Sequence, residues 1–368
     1  MSFLQNQLHS SVAEISVSNL LHNFTFLQNK VGAQTLLLPM VKTNAYGHDI
    51  QIIQKIFSDK NIAGLGVASI TEAIDLRKAG FAKTIVSFGR ISHQILQAAH
   101  EYHITVVIHS VEDMQLFSTS RYKTDMHLEI ETGMHRLGLS AQDILDSQIH
   151  WQSIKPFIKG IFSHFSESEN PDQHFSQQQM QCFQRTIGEI EHLLPSTTIK
   201  HISNSGSILL HAQFDLDWAR PGIALYGYDP TSSEHSELKP VLTWKAPIIQ
   251  IKKLRKGDAV GYGRSFIADK PMTIATIPIG YGDGFLRMYH HVGLGYKGKR
   301  VPVVGNVCMD LLMIDISQTP NPQVEDAVYI LGDGHHGEAD ANEFAKVDQT
   351  ISYEVLSRIG SRVLRMQT

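Results

Sequence analysis

Short apolar runs alternate with helix-length amphipathic segments through the first two thirds of the chain. The runs are TLLLPMVK (35–42), GLGVAS (64–69), TIVSFG (84–89), ITVVIH (104–109), MHLEIETG (126–133), IKGIFSHF (158–165), IKHISNSG (199–206) and WARPGIALYG (218–227). Between them lie helical patterns such as ITEAIDLRKAG and the long QHFSQQQMQCFQRTIGEIEHLL. Strand and helix in alternation predict parallel βαβ units. Roughly eight repeats over about 200 residues predict a (β/α)8 barrel of TIM type rather than an open doubly wound sheet. The first strand–helix turn carries no GxGxxG, which removes the simplest dinucleotide-binding reading.

After about residue 240 the texture changes. WKAPIIQIKKL, AVGYGRSFIA, MTIATIPIG, RVPVVGNV, LLMIDIS and DAVYILG are short β runs separated by Gly, Asp and Pro, and helical ADANEFAKV and YEVLSRIGSRVLRM follow. The fold class expected is α/β: an N-terminal barrel over 12–240 and a mostly antiparallel C-terminal β domain over 241–368. The N-terminal strand near 12–17 is a candidate to pack with that second domain.

Composition narrows the function classes. A formal charge of −4 over 368 residues gives no global attraction for nucleic acid or anionic lipid. Cys182 and Cys308 cannot build a disulfide framework, and neither CxxC nor HExxH occurs, so no metal site is expected. The N-terminal segment lacks a basic region followed by an apolar core, and no run of about 18 apolar residues occurs, so a cytoplasmic location without membrane association is expected.

Side chains just past the C-terminal ends of barrel strands face the active site. Lys42 ends the first run, Arg136 follows the fifth, His164 follows the sixth, Asn204 and Ser205 follow the seventh, and Arg220 belongs to the last. Each has a bland reading alone: a strand-end lysine also snorkels to water, and Arg136 could pair with Glu129 or Glu131 on the preceding strand. Together they gather cationic and polar groups on one face. The glycines of NSGS (204–207) and RPGI (220–223) leave backbone N–H groups open to a phosphate. A phosphate-bearing cofactor beside a lysine points to pyridoxal phosphate.

The ordered set MVKTNAYGH, ETGMHRLG, GIFSHF, SNSGS, RPGIALYG, VGYG, IPIGYGDG, GNVCMD and ISYEVL resembles the alanine racemase family along nearly the whole length. That resemblance implies pyridoxal phosphate on Lys42, and interconversion of L- and D-alanine by two bases, Lys42 and Tyr262, on opposite faces of the substrate. It implies that His164 bonds Tyr262 with Arg220 behind it, and that Arg220 meets the pyridine nitrogen. Tyr46, Ser205, Gly222, Ile223 and Tyr353 match the phosphate cradle. Arg136, the Met309 backbone and the entry-channel residue Tyr281 match the substrate side. A homodimer with Tyr262 supplied in trans, and a role in D-alanine supply for the cell wall or in alanine catabolism, are implied as well.

Where the family commonly carries a lysine, often carbamylated, this chain has Glu129, expected to pair with Arg136 directly. The alternatives are a racemase acting on serine, lysine or arginine, and a non-catalytic pyridoxal-phosphate-binding protein. Single-barrel carriers would lack the C-terminal domain that bears Tyr262 and Met309.

Overall fold

The computed structural model describes residues 11–231 and 237–368. Eight parallel strands form one sheet: β2 (Leu36–Leu37), β3 (Leu65–Val67), β4 (Ile85–Ser87), β5 (Thr105–Ile108), β6 (Met126–Glu129), β7 (Ile158–Phe162), β8 (Ile199–His201) and β9 (Trp218–Ala219). Their order is β2-β9-β8-β7-β6-β5-β4-β3. The two end strands meet through a parallel bridge between Met40 and Gly66, where the Val41 N–H donates to the Gly66 carbonyl at 2.8 Å. That bridge curls the sheet into the barrel the alternation predicted.

The helices start where the sequence supplies a cap. Ser69, Ser92, Ser110 and Ser140 each accept a hydrogen bond from the backbone N–H three residues on, opening Ile70–Lys78, His93–Glu101, Val111–Thr119 and Ala141–Asp146. Each hydroxyl satisfies one of the orphan donors of a helix start, typically about 1 kcal/mol of helix stability.

Residues two apart on a strand share a face. Val106, Ile108, Leu128 and Ile161 belong to the main apolar core, while Leu38, Val86, Val107, Phe162 and Trp218 form a separate small cluster that plugs the barrel interior. The interior parity continues upward from that plug. Val107 leads to His109, His127 to Glu129, Phe162 to His164, and Trp218 to Arg220. Gly160 keeps its side open for a neighbour: a Cβ there would stand 2.6 Å from the His127 ring. An apolar floor therefore carries a polar storey at the strand ends.

The C-terminal region holds a six-stranded sheet. It is built of β10 (Leu242–Pro247), β15 (Leu294–Tyr296), β16 (Lys299–Val301), β18 (Ala327–Leu331), β19 (Leu364–Gln367) and the N-terminal β1 (Val12–Ile15). β1 runs antiparallel to β10 and parallel to β19. Three further strands, β11 (Gln250–Leu254), β14 (Met272–Ile277) and β17 (Leu312–Asp315), pair antiparallel, and β12 (Ala259–Val260) with β13 (Phe266–Ile267) makes a short ribbon.

Two runs are shorter as strands than their apolar patterns suggest. Of WARPGIALYG only Trp218–Ala219 is strand; Pro221 has no N–H to donate to a ladder, and a 3-10 turn follows at Ile223–Tyr226. AVGYGRSFIA is interrupted by a 3-10 turn at Tyr262–Arg264, where Gly261 and Gly263 take φ of 69°.

Candidate active site

Lys42 does not simply end a strand. Thr43, Asn44, Ala45 and Tyr46 follow it in the left-handed region, with φ of 54°, 52°, 55° and 53°. A left-handed turn costs non-glycine residues roughly 1–2 kcal/mol each, so the surroundings must hold it. The Glu72 carboxylate accepts from the Thr43 N–H at 2.5 Å and from the Ala68 N–H at 3.0 Å. Asn44 Oδ1 accepts from the Ile50 N–H at 2.9 Å. From the far end of the chain, Arg365 Nε donates to the Gly47 carbonyl at 3.0 Å, and its other nitrogens fasten to Val363 and Ile359. The turn is tied to both regions of the protein.

The turn delivers Lys42 into a cavity of about 280 Å³ at the strand ends, which Tyr46, Glu129, Arg136, His164, Ser205, Arg220, Gly222 and Tyr353 also line. Burial, then Arg136, then Arg220 lower the Lys42 pKa, and only Glu72 opposes them. Lys42 is exposed as a residue because the cavity is open, but its ammonium group sits among these cations.

Arg220 is buried beneath the cavity at 3% exposure. It donates to His201 Nδ1 at 2.6 Å, to His164 Nδ1 at 3.1 Å and to the carbonyls of Ser163 and Ile202. Its guanidinium lies over the Phe162 ring at 5.2 Å. Burial lowers its pKa to about 10, with Glu129 opposing and Arg136 adding, so it stays charged at neutral pH. Because arginine only donates, the Nδ1 atoms of His164 and His201 are acceptors, and each imidazole keeps its proton on Nε2. His201 Nε2 then donates to His127 Nδ1 at 2.9 Å. Burial and then the Arg220 charge hold all three histidines neutral, His127 at a pKa of about 3. His164 consequently carries an N–H on the nitrogen not bound to Arg220.

At the opposite end Ser205 Oγ accepts from the N–H groups of Gly222 at 2.9 Å and Ala224 at 3.3 Å. Gly222 leaves room for Tyr46: a Cβ would stand 2.4 Å from the Tyr46 hydroxyl, and the ring would have to shift. The rings of Tyr46 and Tyr353 lie 6.0 Å apart. Ile223 is fully buried behind this wall.

The structure does not bring Tyr262, Tyr281 or Met309 to this cavity within one chain. Tyr262 and Tyr281 line a separate hollow of about 420 Å³ with Arg287 and Asn306. Tyr262 is 75% exposed and Met309 54%. The Glu129–Arg136 pairing expected from sequence is corrected: Glu129 Oε2 lies 2.5 Å from His109 Nδ1, the imidazole one strand away on the same interior face. Glu131 does not substitute, since its carboxylate takes the Gly133 N–H.

Sequence reasoning missed His201, His127, His109, Glu72 and Arg365. The three histidines had a usable signal, because each sits two residues from another interior-facing position. Glu72 and Arg365 had none, since their partners are fixed only by the assembled fold.

The chain matches two family models in succession: the alanine racemase N-terminal domain over residues 15–230 and the alanine racemase C-terminal domain over 241–367. It is 32% identical to alanine racemase 2 of Caldanaerobacter subterraneus subsp. tengcongensis, covering 98% of this chain and 95% of that one. Its fold superimposes on the alanine racemase of Clostridium difficile 630 with a TM-score of 0.91, at 30% identity, over 98% of this chain and 96% of that one. An alanine racemase from Bartonella henselae, solved with covalently bound pyridoxal phosphate, gives a TM-score of 0.86 at 28% identity, covering 98% and 99%. With both domains matched in order and the whole fold shared, this protein belongs to the alanine racemase family.

Proposed function

We propose that this chain interconverts L- and D-alanine with pyridoxal phosphate held on Lys42, using Lys42 and Tyr262 as bases on opposite faces of the substrate. One observation carries the reading: a single cavity joins a lysine of lowered pKa, a donor-only guanidinium at its floor and the Ser205–Gly222 wall at its end. These groups fit the cofactor. Lys42 matches its aldehyde, Arg220 its ring nitrogen, and Tyr46, Ser205, Gly222, Ile223 and Tyr353 its phosphate.

When bound, the cofactor withdraws electrons from the amino-acid Cα and so acidifies its proton. Lys42 takes or returns that proton on one face; burial and the neighbouring arginines favour its neutral amine, the form able to accept one. Tyr262 serves the other face. His164 presents an Nε2–H to it, and a hydrogen-bond donor backed by the Arg220 cation favours the ionised form of a phenol. Arg136 binds the substrate carboxylate, the Met309 backbone N–H assists, and Tyr281 narrows the entry. Glu129 supports this side from the cavity wall.

Tyr262 and the Lys42 cavity are apart in one chain, which supports a homodimer whose second copy completes each site. The residues 12–240 and 241–368, with β1 packed into the second, then act as two units, one holding the cofactor and one reaching into the neighbouring protomer. Supply of D-alanine for the cell wall, or entry of alanine into catabolism, in the cytoplasm, is the role that follows. Among the described residues no helix is long and apolar enough to cross a membrane.

Borohydride reduction of the protein loaded with pyridoxal phosphate, followed by peptide mapping, tests the assignment. The label is expected on the peptide bearing Lys42, and a label on another lysine would remove the reading.

A further inference from the structure

We propose that Asn306 is a positioning residue for Tyr262: its carboxamide fixes the turn that carries the phenol, so that the ring meets the substrate in one orientation. The proposal rests on the function argued above and adds the residue that holds its second base in place.

Tyr262 has little to fix it locally. It is flanked by Gly261 and Gly263, both at φ of 69°, and Arg264 follows at 51°. Glycines on both sides leave a turn conformationally free. Within the turn the Arg264 N–H donates to the Gly261 carbonyl at 3.4 Å, longer than such bonds usually run, and Tyr262 is 75% exposed. A base must come within about 3 Å of the proton it takes, which so free a turn does not ensure by itself.

The restraint comes from the loop before β17. Its base is pinned where the Val304 N–H donates to the Met313 carbonyl at 2.8 Å and the Cys308 N–H to the Leu311 carbonyl at 2.9 Å. Gly305, at φ 75°, brings the loop against β12, where a Cβ would stand 3.0 Å from the Val260 carbonyl. From that base Asn306 Nδ2 donates to the Tyr262 carbonyl at 2.9 Å. A carbonyl only accepts, so the amide nitrogen is the atom that faces it. Asn306 also lies against both glycines: a Cβ on Gly261 would stand 3.7 Å from its backbone N and O, and one on Gly263 3.8 Å from Nδ2. Among the described residues no other side chain hydrogen-bonds Gly261, Tyr262, Gly263 or Arg264.

The same loop holds the other residues of the hollow. The Tyr281 N–H donates to the Cys308 carbonyl at 3.1 Å, and the Gly282 N–H to the Met309 carbonyl at 2.9 Å. Those are main-chain bonds, indifferent to the side chain at 306. Removing the Asn306 amide therefore loosens Tyr262 and leaves Tyr281 and Met309 in place. Lys42 keeps its surroundings too, since Asn306 lines the Tyr262 hollow and not the Lys42 cavity.

The two bases can be told apart by isotope. In deuterium oxide a proton taken by the Lys42 amine becomes one of three on the ammonium, the other two being deuterium. Deuterium then returns to the same face without inversion, whereas inversion also requires proton transfer at Tyr262.

The test uses the enzyme loaded with pyridoxal phosphate and given each alanine enantiomer in turn in deuterium oxide. Two rates are read: α-deuterium entering substrate of unchanged configuration, and formation of the inverted product. For the enantiomer that exchanges faster, Asn306→Leu should raise the ratio of exchange to inversion about tenfold, the cost of a base held out of line. Dissociation constants for pyridoxal phosphate and for propionate, a carboxylate of substrate size, should stay the same. Asn306→Ser, too short to reach the carbonyl, should behave as Asn306→Leu does and supplies the answer where leucine disturbs folding.

An unchanged ratio in a folded, cofactor-bearing variant would overturn the proposal. So would weaker propionate binding, because the whole loop rather than the Tyr262 turn would then have moved. Tyr262→Phe is the reference, expected to lose inversion and keep exchange. Inversion at the unaltered rate in that variant would remove Tyr262 as a base, a failure of the function itself and distinct from a failure of Asn306.

Discussion

At the scale of the residue, one cation sets the chemistry of its neighbours. Arg220 can only donate, so it dictates the tautomers of His164 and His201 and, through His201, of His127. The same property would leave the cofactor nitrogen without a proton and weaken the ring as an electron sink, which disfavours transamination. Arg220→Glu should therefore raise the keto acid formed per racemisation turnover, measured by coupled assay; an unchanged ratio would exclude this role. Depressed histidine pKa values also bear on stability. Below the ordinary value of about 6.5 the unfolded chain binds protons that native His127, with its pKa of about 3, does not. Stability is then complete above about pH 6.5 and falls below it, by about 2 kcal/mol at pH 5 for one such group. Denaturant titrations should show that loss, and His127→Gln should reduce its steepness. Lys42, His164, Ser205 and Arg220 were legible because they stand at strand ends beside apolar runs. The histidine relay was legible in principle from strand parity. The Glu129–Arg136 expectation failed because proximity along one strand and its loop says nothing of an imidazole on the adjacent strand.

At the scale of the element, the turn after Lys42 is the least readable part of the fold. Thr43, Ala45 and Tyr46 have no intrinsic preference for positive φ, so no local signal announces four left-handed residues in a row. The conformation is imposed from outside, by Glu72 on a barrel helix and Arg365 on β19. Gly47, at φ 82°, closes the turn against the Leu356 carbonyl, which a Cβ would approach to 2.2 Å. Gly47→Ala should cost about 1–3 kcal/mol from backbone strain alone and weaken cofactor retention, both readable from a melt followed at the cofactor's absorbance. Retention unchanged would mean that the turn does not position Lys42. By contrast, the serine caps of the barrel helices and the β texture after residue 240 were plain in the sequence, because capping and alternation are local.

At the scale of the whole molecule, the proposed homodimer would make the cavity and the hollow around Tyr262 two half-sites on one chain. Mixing Lys42→Ala with Tyr262→Phe, each inactive alone, should restore activity if protomers exchange, since one composite site in a hybrid dimer is intact. Random pairing gives about a quarter of the unaltered activity, and no recovery after verified exchange would contradict contribution in trans. The order of motifs made the curled parallel sheet and the separate antiparallel sheets legible, whereas the hollow in which Tyr262 sits had no signal in composition or strand parity. The most direct test of the whole account is to incubate the protein and pyridoxal phosphate with L-alanine in deuterium oxide, following optical rotation and the α-proton together. The account predicts that rotation decays to zero while deuterium enters Cα. Rotation preserved with cofactor bound would contradict it, whether the α-proton is retained or exchanged on one face alone.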